Sequence, residues 1–174
     1  MSAKHTRTLT PEHSSQPLYV ISHDTQLFTS GPEFTITSTA QNNLTIGTVN
    51  WHAWSGKVDL SFPSRGALIT YRENFDSLCG LGRLFWSATE ASKKRATLKL
   101  ADRKGDTLAT VTLENKLESG LLEIWRAGLG KDAYEEVVVS AVAAIEEVRK
   151  SIKEGDAGTI GAIAGASAGN SFSF

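Results

Sequence analysis

With 174 residues, 18 Lys and Arg against 19 Asp and Glu, and a formal net charge of −1, the chain is sized for one domain with a substantial core. It lacks the basic excess of a dedicated nucleic-acid binder, so no nucleic-acid partner is expected. Its one cysteine, Cys79, excludes an intramolecular disulfide, and the opening Met1-Ser-Ala-Lys-His-Thr-Arg7 carries no apolar signal core; the expectation is an intracellular, cytoplasmic protein.

Residues 1–16 are rich in Thr, Ser, His and Pro, with no period and almost no large apolar residue, and read as a flexible N-terminal tail. A single domain is then expected over 17–154. Its first strand is predicted at Leu18–Ser22 and the next at Phe34–Ser38, where Phe34 and Ile36 alternate with threonines. Gln41-Asn-Asn43 supplies a turn into a strand over Leu44–Trp51, with Gly47 marking a bulge or close backbone approach. Lys57–Phe62 puts Val58, Leu60 and Phe62 on one face, and Pro63 ends it. Gly66–Arg72 and Leu81–Ser87 are apolar on both faces and are expected to be central strands.

Ala96–Ala101 and Thr107–Leu113, joined by Asp102-Arg-Lys-Gly-Asp106, form the clearest hairpin signal, with Gly105 providing the positive φ of the turn. A last strand is predicted at Gly120–Arg126. It leads through Gly128 and Gly130 into a helix over 132–153, whose middle, Val137–Ile145, is apolar on every side. A helix without a polar face must be enclosed, and nine such residues are far short of the roughly 20 needed to cross a bilayer. Asp132 and Glu135 have capping-box spacing, while Arg149, Lys150 and Lys153 suit the helix C-terminus. Residues 155–174 form a Gly/Ala/Ser-rich stretch, read as a flexible tail; Gly161, Gly165 and Gly169 have membrane-dimer spacing, in too short an apolar setting to span. The fold class expected is mainly β: a curved, barrel-like antiparallel sheet enclosing or clamping a hydrophobic C-terminal α-helix.

The strand-turn-strand over 98–109, the strand Gly120-Leu-Leu-Glu-Ile-Trp-Arg126 and the helix opening Tyr134-Glu-Glu-Val-Val-Val-Ser-Ala-Val-Ala-Ala-Ile145 together resemble the tubby C-terminal-like superfamily, and especially its small fungal members. That superfamily includes tubby-like, scramblase-like and plant LURP-one-related proteins. The resemblance covers roughly residues 30–153 and implies a barrel around a hydrophobic helix. Functionally it implies a range from phosphoinositide binding to lipid scrambling, and no phosphoinositide-binding motif of the family maps residue by residue onto this chain.

No constellation of catalytic residues is legible, and an enzyme is not expected. His5, His13, His23 and His52 lack metal-site spacing, Cys79 has no basic neighbour to activate it, and Cys79-Gly-Leu-Gly82 is too sparse for a phosphate loop; no cofactor is expected. Two binding signals remain. Lys93-Lys94-Arg95 precedes the hairpin and Arg103-Lys104 forms its tip; if both loops share one end of the barrel, they make a patch for anionic headgroups, and otherwise, with Glu90, Asp102 and Asp106 nearby, they are solvated loops. Trp51 and Trp54 cannot both face one side of a regular strand, so one is expected in a turn, either exposed for recognition or capping the barrel end. Trp86 and Trp125 are expected in the core. The reading is a non-catalytic binding module for an anionic membrane surface of phosphoinositide type, or else a protein-interaction adaptor, with no transmembrane segment.

Overall fold

The computed structural model describes residues 5–24, 33–52 and 55–154. The chain forms two compact units, Met1–Arg72 and Glu73–Phe174, where the sequence reading expects one domain. Each unit is built on its own antiparallel sheet.

The first sheet is a meander of six strands: β1 (His5–Leu9), β2 (Tyr19–His23), β3 (Phe34–Ser38), β4 (Leu44–His52), β5 (Lys57–Phe62) and β6 (Ala67–Tyr71), each paired with its neighbour in sequence. Period-two alternation sorts its faces, because successive side chains of a strand point to opposite sides. Phe34, Ile36, Val49, Val58, Leu60, Phe62 and Ile69 are buried on one face. Residues expected in an N-terminal tail include β1, which pairs His5–Leu9 with Tyr19–His23. Its side chains are mostly exposed, so backbone hydrogen bonds hold it, and these leave no signature in hydropathy. The β3–β4 connection passes through a short 3-10 turn into Asn42 and Asn43, both left-handed at φ 53° and 59°, a conformation that asparagine tolerates. The register slips beside Gly47, as the glycine suggests. Gly66–Arg72, expected as a central strand, contributes β6 at the sheet's edge, and Leu68 on it is exposed.

The second unit contains β7 (Asn74–Asp76), β8 (Arg83–Ala91), β9 (Ala96–Asp102), β10 (Thr107–Glu114) and β11 (Ser119–Ile124), again a sequential meander, followed by α1 (Lys131–Glu154). The inner face carries Leu84, Trp86 and Ala88 of β8, Leu98 and Leu100 of β9, and Ala109, Val111 and Leu113 of β10, all buried. Onto these three strands packs α1. Every residue of the helix from 135 to 144 is buried. The three polar residues in that stretch find partners: Trp86 Nε1 donates to Ser140 Oγ at 3.2 Å, Glu136 Oε2 accepts the Leu78 amide at 3.0 Å, and Glu135 lies 4.0 Å from Lys131 Nζ. The Tyr134 amide donates to Gly130 O, so Gly130 is the first carbonyl of the helix and Asp132 falls within the first turn rather than capping it. There its charge still suits the helix dipole.

The strands therefore form two separate antiparallel sheets; among the described residues no strand pairing closes a barrel. The expected C-terminal tail, with Gly161, Gly165 and Gly169, lies outside the described residues. No helix of the described residues is long and apolar enough to cross a membrane.

The β10–β11 turn is constrained backbone. Asn115, Lys116 and Leu117 are all left-handed, at φ 50°, 61° and 68°, a conformation costing a non-glycine residue about 1 kcal/mol or more. Leu117 is buried, and Arg149 of α1 donates to its carbonyl from Nε at 2.8 Å and also from its terminal nitrogen. The same guanidinium pairs with Glu146. A helix side chain thus holds the strained turn in place.

Candidate functional site

The two basic segments singled out in the sequence do not meet. Lys93, Lys94 and Arg95 occupy the β8–β9 turn, and Arg103 and Lys104 the β9–β10 turn, which puts the whole of β9 between them. Seven strand residues at about 3.3 Å each separate the two turns by roughly 20 Å. At the first end, Arg95 lies 3.8 Å from Glu90 and the Lys94 carbonyl accepts the Lys116 amide, so this loop is tied to the strained turn beside it. A surface ion pair of that length contributes little.

Arg103 and Lys104 instead join residues of the sheet itself. A concavity of about 840 Å³ opens on the outer face of the second sheet, lined among others by Arg83, Phe85 and Ser87 of β8, Lys99 of β9, and Arg103 and Lys104 of the turn. Register explains the grouping. Ser87 stands opposite Lys99 and Phe85 opposite Ala101, so the outward residues of β8 and β9 form one surface, while Leu98 and Leu100 turn inward. Among the described residues, four cations and one carboxylate, Glu73, line the concavity. Arg83, opposite Asp76 in the β7–β8 pairing, is held by hydrogen bonds to the neutral Asn74 Oδ1, one at 2.8 Å, and enters no salt bridge among the described residues. Lys99, Arg103 and Lys104 enter no salt bridge among the described residues. The acidic residue of the turn, Asp102, accepts the Lys104 and Asp106 amides on Oδ1, at 2.8 and 3.0 Å, and so fixes the shape of the turn. Gly105 sits at φ 89° within it.

Such an arrangement can attract and hold a multiply charged anion, because Lys and Arg donors converge from two strands and a turn with little competing negative charge. Sequence reasoning found Arg103 and Lys104 from the turn but missed Arg83 and Lys99. In the sequence, Lys99 is the polar alternate between Leu98 and Leu100, the pattern of any half-buried strand. Only the pairing with Ser87 reveals its neighbours.

The aromatic signal resolves differently. Trp51 lies on the inner face of the first sheet, edge-on to Phe34 at 5.5 Å between centroids, and Phe34 stacks on His23 at 4.4 Å. Its Nε1 is buried with no hydrogen-bond partner among the described residues. Trp54 lies outside the described residues. Trp86 is buried as expected, but Trp125 is 59% exposed. It follows the last residue of β11, where strand alternation turns it outward, opposite in sense to the inward Ile124 that pairs with Ala109.

The outer face of the first sheet carries a second polar cluster. Asp59 of β5 sits 2.8 Å from His52 Nε2 on β4 and accepts the Thr70 hydroxyl of β6 at 2.6 Å. Burial pushes the Asp59 carboxyl up, but hydrogen bonds from Thr70 and His52 and the charges of His52 and Lys57 outweigh it and hold the group below its ordinary value. The carboxylate stands between the imidazole and the hydroxyl, so the three groups satisfy one another across three strands. No group of three or more His, Cys, Asp or Glu capable of holding a metal occurs among the described residues.

Compared with protein-family models, with curated proteins and with solved structures, the chain matches none.

Proposed function

We propose that the chain is a non-catalytic, intracellular binding module of tubby-like kind that recognises anionic phosphate groups of the sort carried by phosphoinositide headgroups. The observation that carries this reading is the groove on the second sheet, where Lys99, Arg103 and Lys104, which enter no salt bridge among the described residues, stand around a concavity large enough for such a headgroup. The burial of α1 from 135 to 144, at the end of a chain of antiparallel strands, supports the tubby-like assignment. The site differs from the one the sequence suggests: Arg103 and Lys104 remain in it, Arg83 and Lys99 join it, and Lys93, Lys94 and Arg95 stand at the far end of β9.

Co-sedimentation with vesicles of neutral, phosphatidylserine and phosphoinositide composition, at low and high salt, tests the reading. Each basic residue near a charged membrane is worth about 1 kcal/mol, so Lys99→Glu with Lys104→Glu is expected to lower affinity for anionic vesicles about a hundredfold or more. Unchanged binding in that variant rejects the groove as the site. The adaptor reading draws on a different feature: β11 is an edge strand with Leu121 exposed on it, an opening for a partner strand. Absence of binding to every vesicle favours it.

A further inference from the structure

The outward residues of β11 continue the grooved face toward the sheet's edge. Leu121 is 48% exposed, and Trp125, four residues on and so on the same side of the extended chain, is 59% exposed. Their setting is ordered. The Trp125 amide donates to Leu108 O at 2.8 Å, extending the β10–β11 ladder by one step. Its indole Nε1 donates to Thr110 Oγ1 at 3.0 Å, and that hydroxyl donates to Glu123 Oε2 at 3.3 Å. Thr110 is directly opposite Lys99 on the neighbouring strand. The ring is thus fixed across β10, about one strand spacing, roughly 5 Å, from the row that carries the groove's half-buried lysine.

We infer that the outer face of the second sheet is a membrane-contacting surface, on which the basic groove takes headgroup phosphates while Trp125 and Leu121 enter the headgroup–acyl boundary of the same bilayer. This rests on the anionic-headgroup reading of the groove and adds to it an orientation and an apolar anchor. Tryptophan suits that boundary when its body is apolar and its one donor is satisfied. Here Thr110 already satisfies the donor, so the ring can leave water without an orphaned N–H. The partner's chemistry follows from what adjoins the ring. A purely apolar partner leaves the charges of Arg83, Lys99, Arg103 and Lys104, and that of Glu123 between Leu121 and Trp125, desolvated beside it, whereas an anionic bilayer offers the cations phosphates and the ring an apolar layer a few ångströms apart. Leu121 and Trp125 also give the attachment a component that salt does not screen.

The test uses the full chain, with phosphatidylcholine vesicles containing a phosphoinositide fraction and lipids brominated on the acyl chains, and with inositol hexakisphosphate as a soluble probe of the groove alone. Brominated vesicles are expected to quench part of the tryptophan emission of the native protein, and that part is expected to vanish in Trp125→Phe, which keeps an aromatic ring and the fold. Trp125→Ala is expected to weaken vesicle binding about tenfold more than it weakens inositol hexakisphosphate binding. Lys99→Glu with Lys104→Glu weakens both. If the native protein binds both probes but Trp125→Phe shows the same quenching, or Trp125→Ala loses no vesicle affinity, the membrane-facing role of Trp125 is overturned and the groove reading stands. If the native protein binds neither probe, the groove reading itself falls, and this inference with it.

Discussion

The outer faces of the two sheets are both polar, and they differ in whether their polar groups answer one another. On the first, His52, Asp59 and Thr70 form a closed set across β4, β5 and β6, with the Asp59 carboxylate receiving a partner on each oxygen. On the second, Lys99, Arg103 and Lys104 converge on a concavity whose one lining carboxylate among the described residues is Glu73. The same strand alternation produced both faces. A satisfied cluster adds cohesion to its own sheet, whereas uncompensated charge costs self-repulsion and is relieved by a ligand of opposite sign. The contrast teaches that a functional face is recognised by what its charges lack, and register decides that more than composition does.

The largest effect is expected in the inner faces, which hold both outer faces in shape. Val138→Asp or Ala141→Asp places an unpaired charge among residues that are about 1% exposed, at a cost of at least about 4 kcal/mol, and is expected to unfold the second unit and abolish its groove. Thermal denaturation read by near-ultraviolet dichroism checks it; stability within about 1 kcal/mol of the native protein removes α1 from the centre of that unit.

Next in size is the latch on the β10–β11 turn. Arg149→Met leaves Glu146 and the Leu117 carbonyl without the guanidinium and is expected to cost about 3 kcal/mol, with faster amide exchange concentrated at 115–118. Uniform exchange across the second sheet contradicts a local latch.

Two carboxylates sharpen the comparison through pH. Asp59 is held below its ordinary value, so its contribution to the first unit is fully present above the unfolded carboxylate pKa and is lost as pH falls through the lower folded value. Asp59→Asn is expected to flatten the acid limb of that unit's stability profile below about pH 4. Glu147 on α1 is the reverse case. Burial, only partly offset by Lys150, raises it, so it favours folding most below the unfolded carboxylate pKa and less as pH rises through the folded value. Glu147→Gln is accordingly expected to raise stability at neutral pH and leave it little changed at pH 3. Urea titrations across this range decide both signs.

The smallest effect is expected at Trp51. Its buried Nε1 has no partner among the described residues, so Trp51→Phe removes an unsatisfied donor along with some packing, and the two changes oppose each other to leave stability within about 1 kcal/mol. Vesicle binding by this variant is expected to match the native protein, in contrast to the groove variants.

Much of the fold was legible in the sequence where local chemistry is self-sufficient. β3, β5 and β10 follow period-two alternation closely, Gly105 and the Asn42-Asn43 pair mark their turns, and the all-apolar middle of α1 announced its burial. β1 and β7 were missed because a strand lying at the edge of a sheet needs backbone partners rather than apolar side chains. Of the site, Arg103 and Lys104 were visible as a basic turn. Lys93, Lys94 and Arg95 seemed equivalent to them because sequence separation does not tell which end of a strand a loop occupies.

By itself, then, the sequence determined most of the strands, their antiparallel hairpins and the enclosed character of the last helix, since these follow from side-chain period, turn chemistry and the cost of exposing an apolar surface. Tertiary structure alone decided that the strands divide into two sheets, that Arg149 reaches the Leu117 carbonyl 32 residues away, and that Ser87, Lys99, Thr110 and Glu123 share a row with Trp125 two residues further along the chain. Pairing register carries that information, and register is set by the whole sheet at once: a shift of one residue turns every outward lysine in and every inward leucine out.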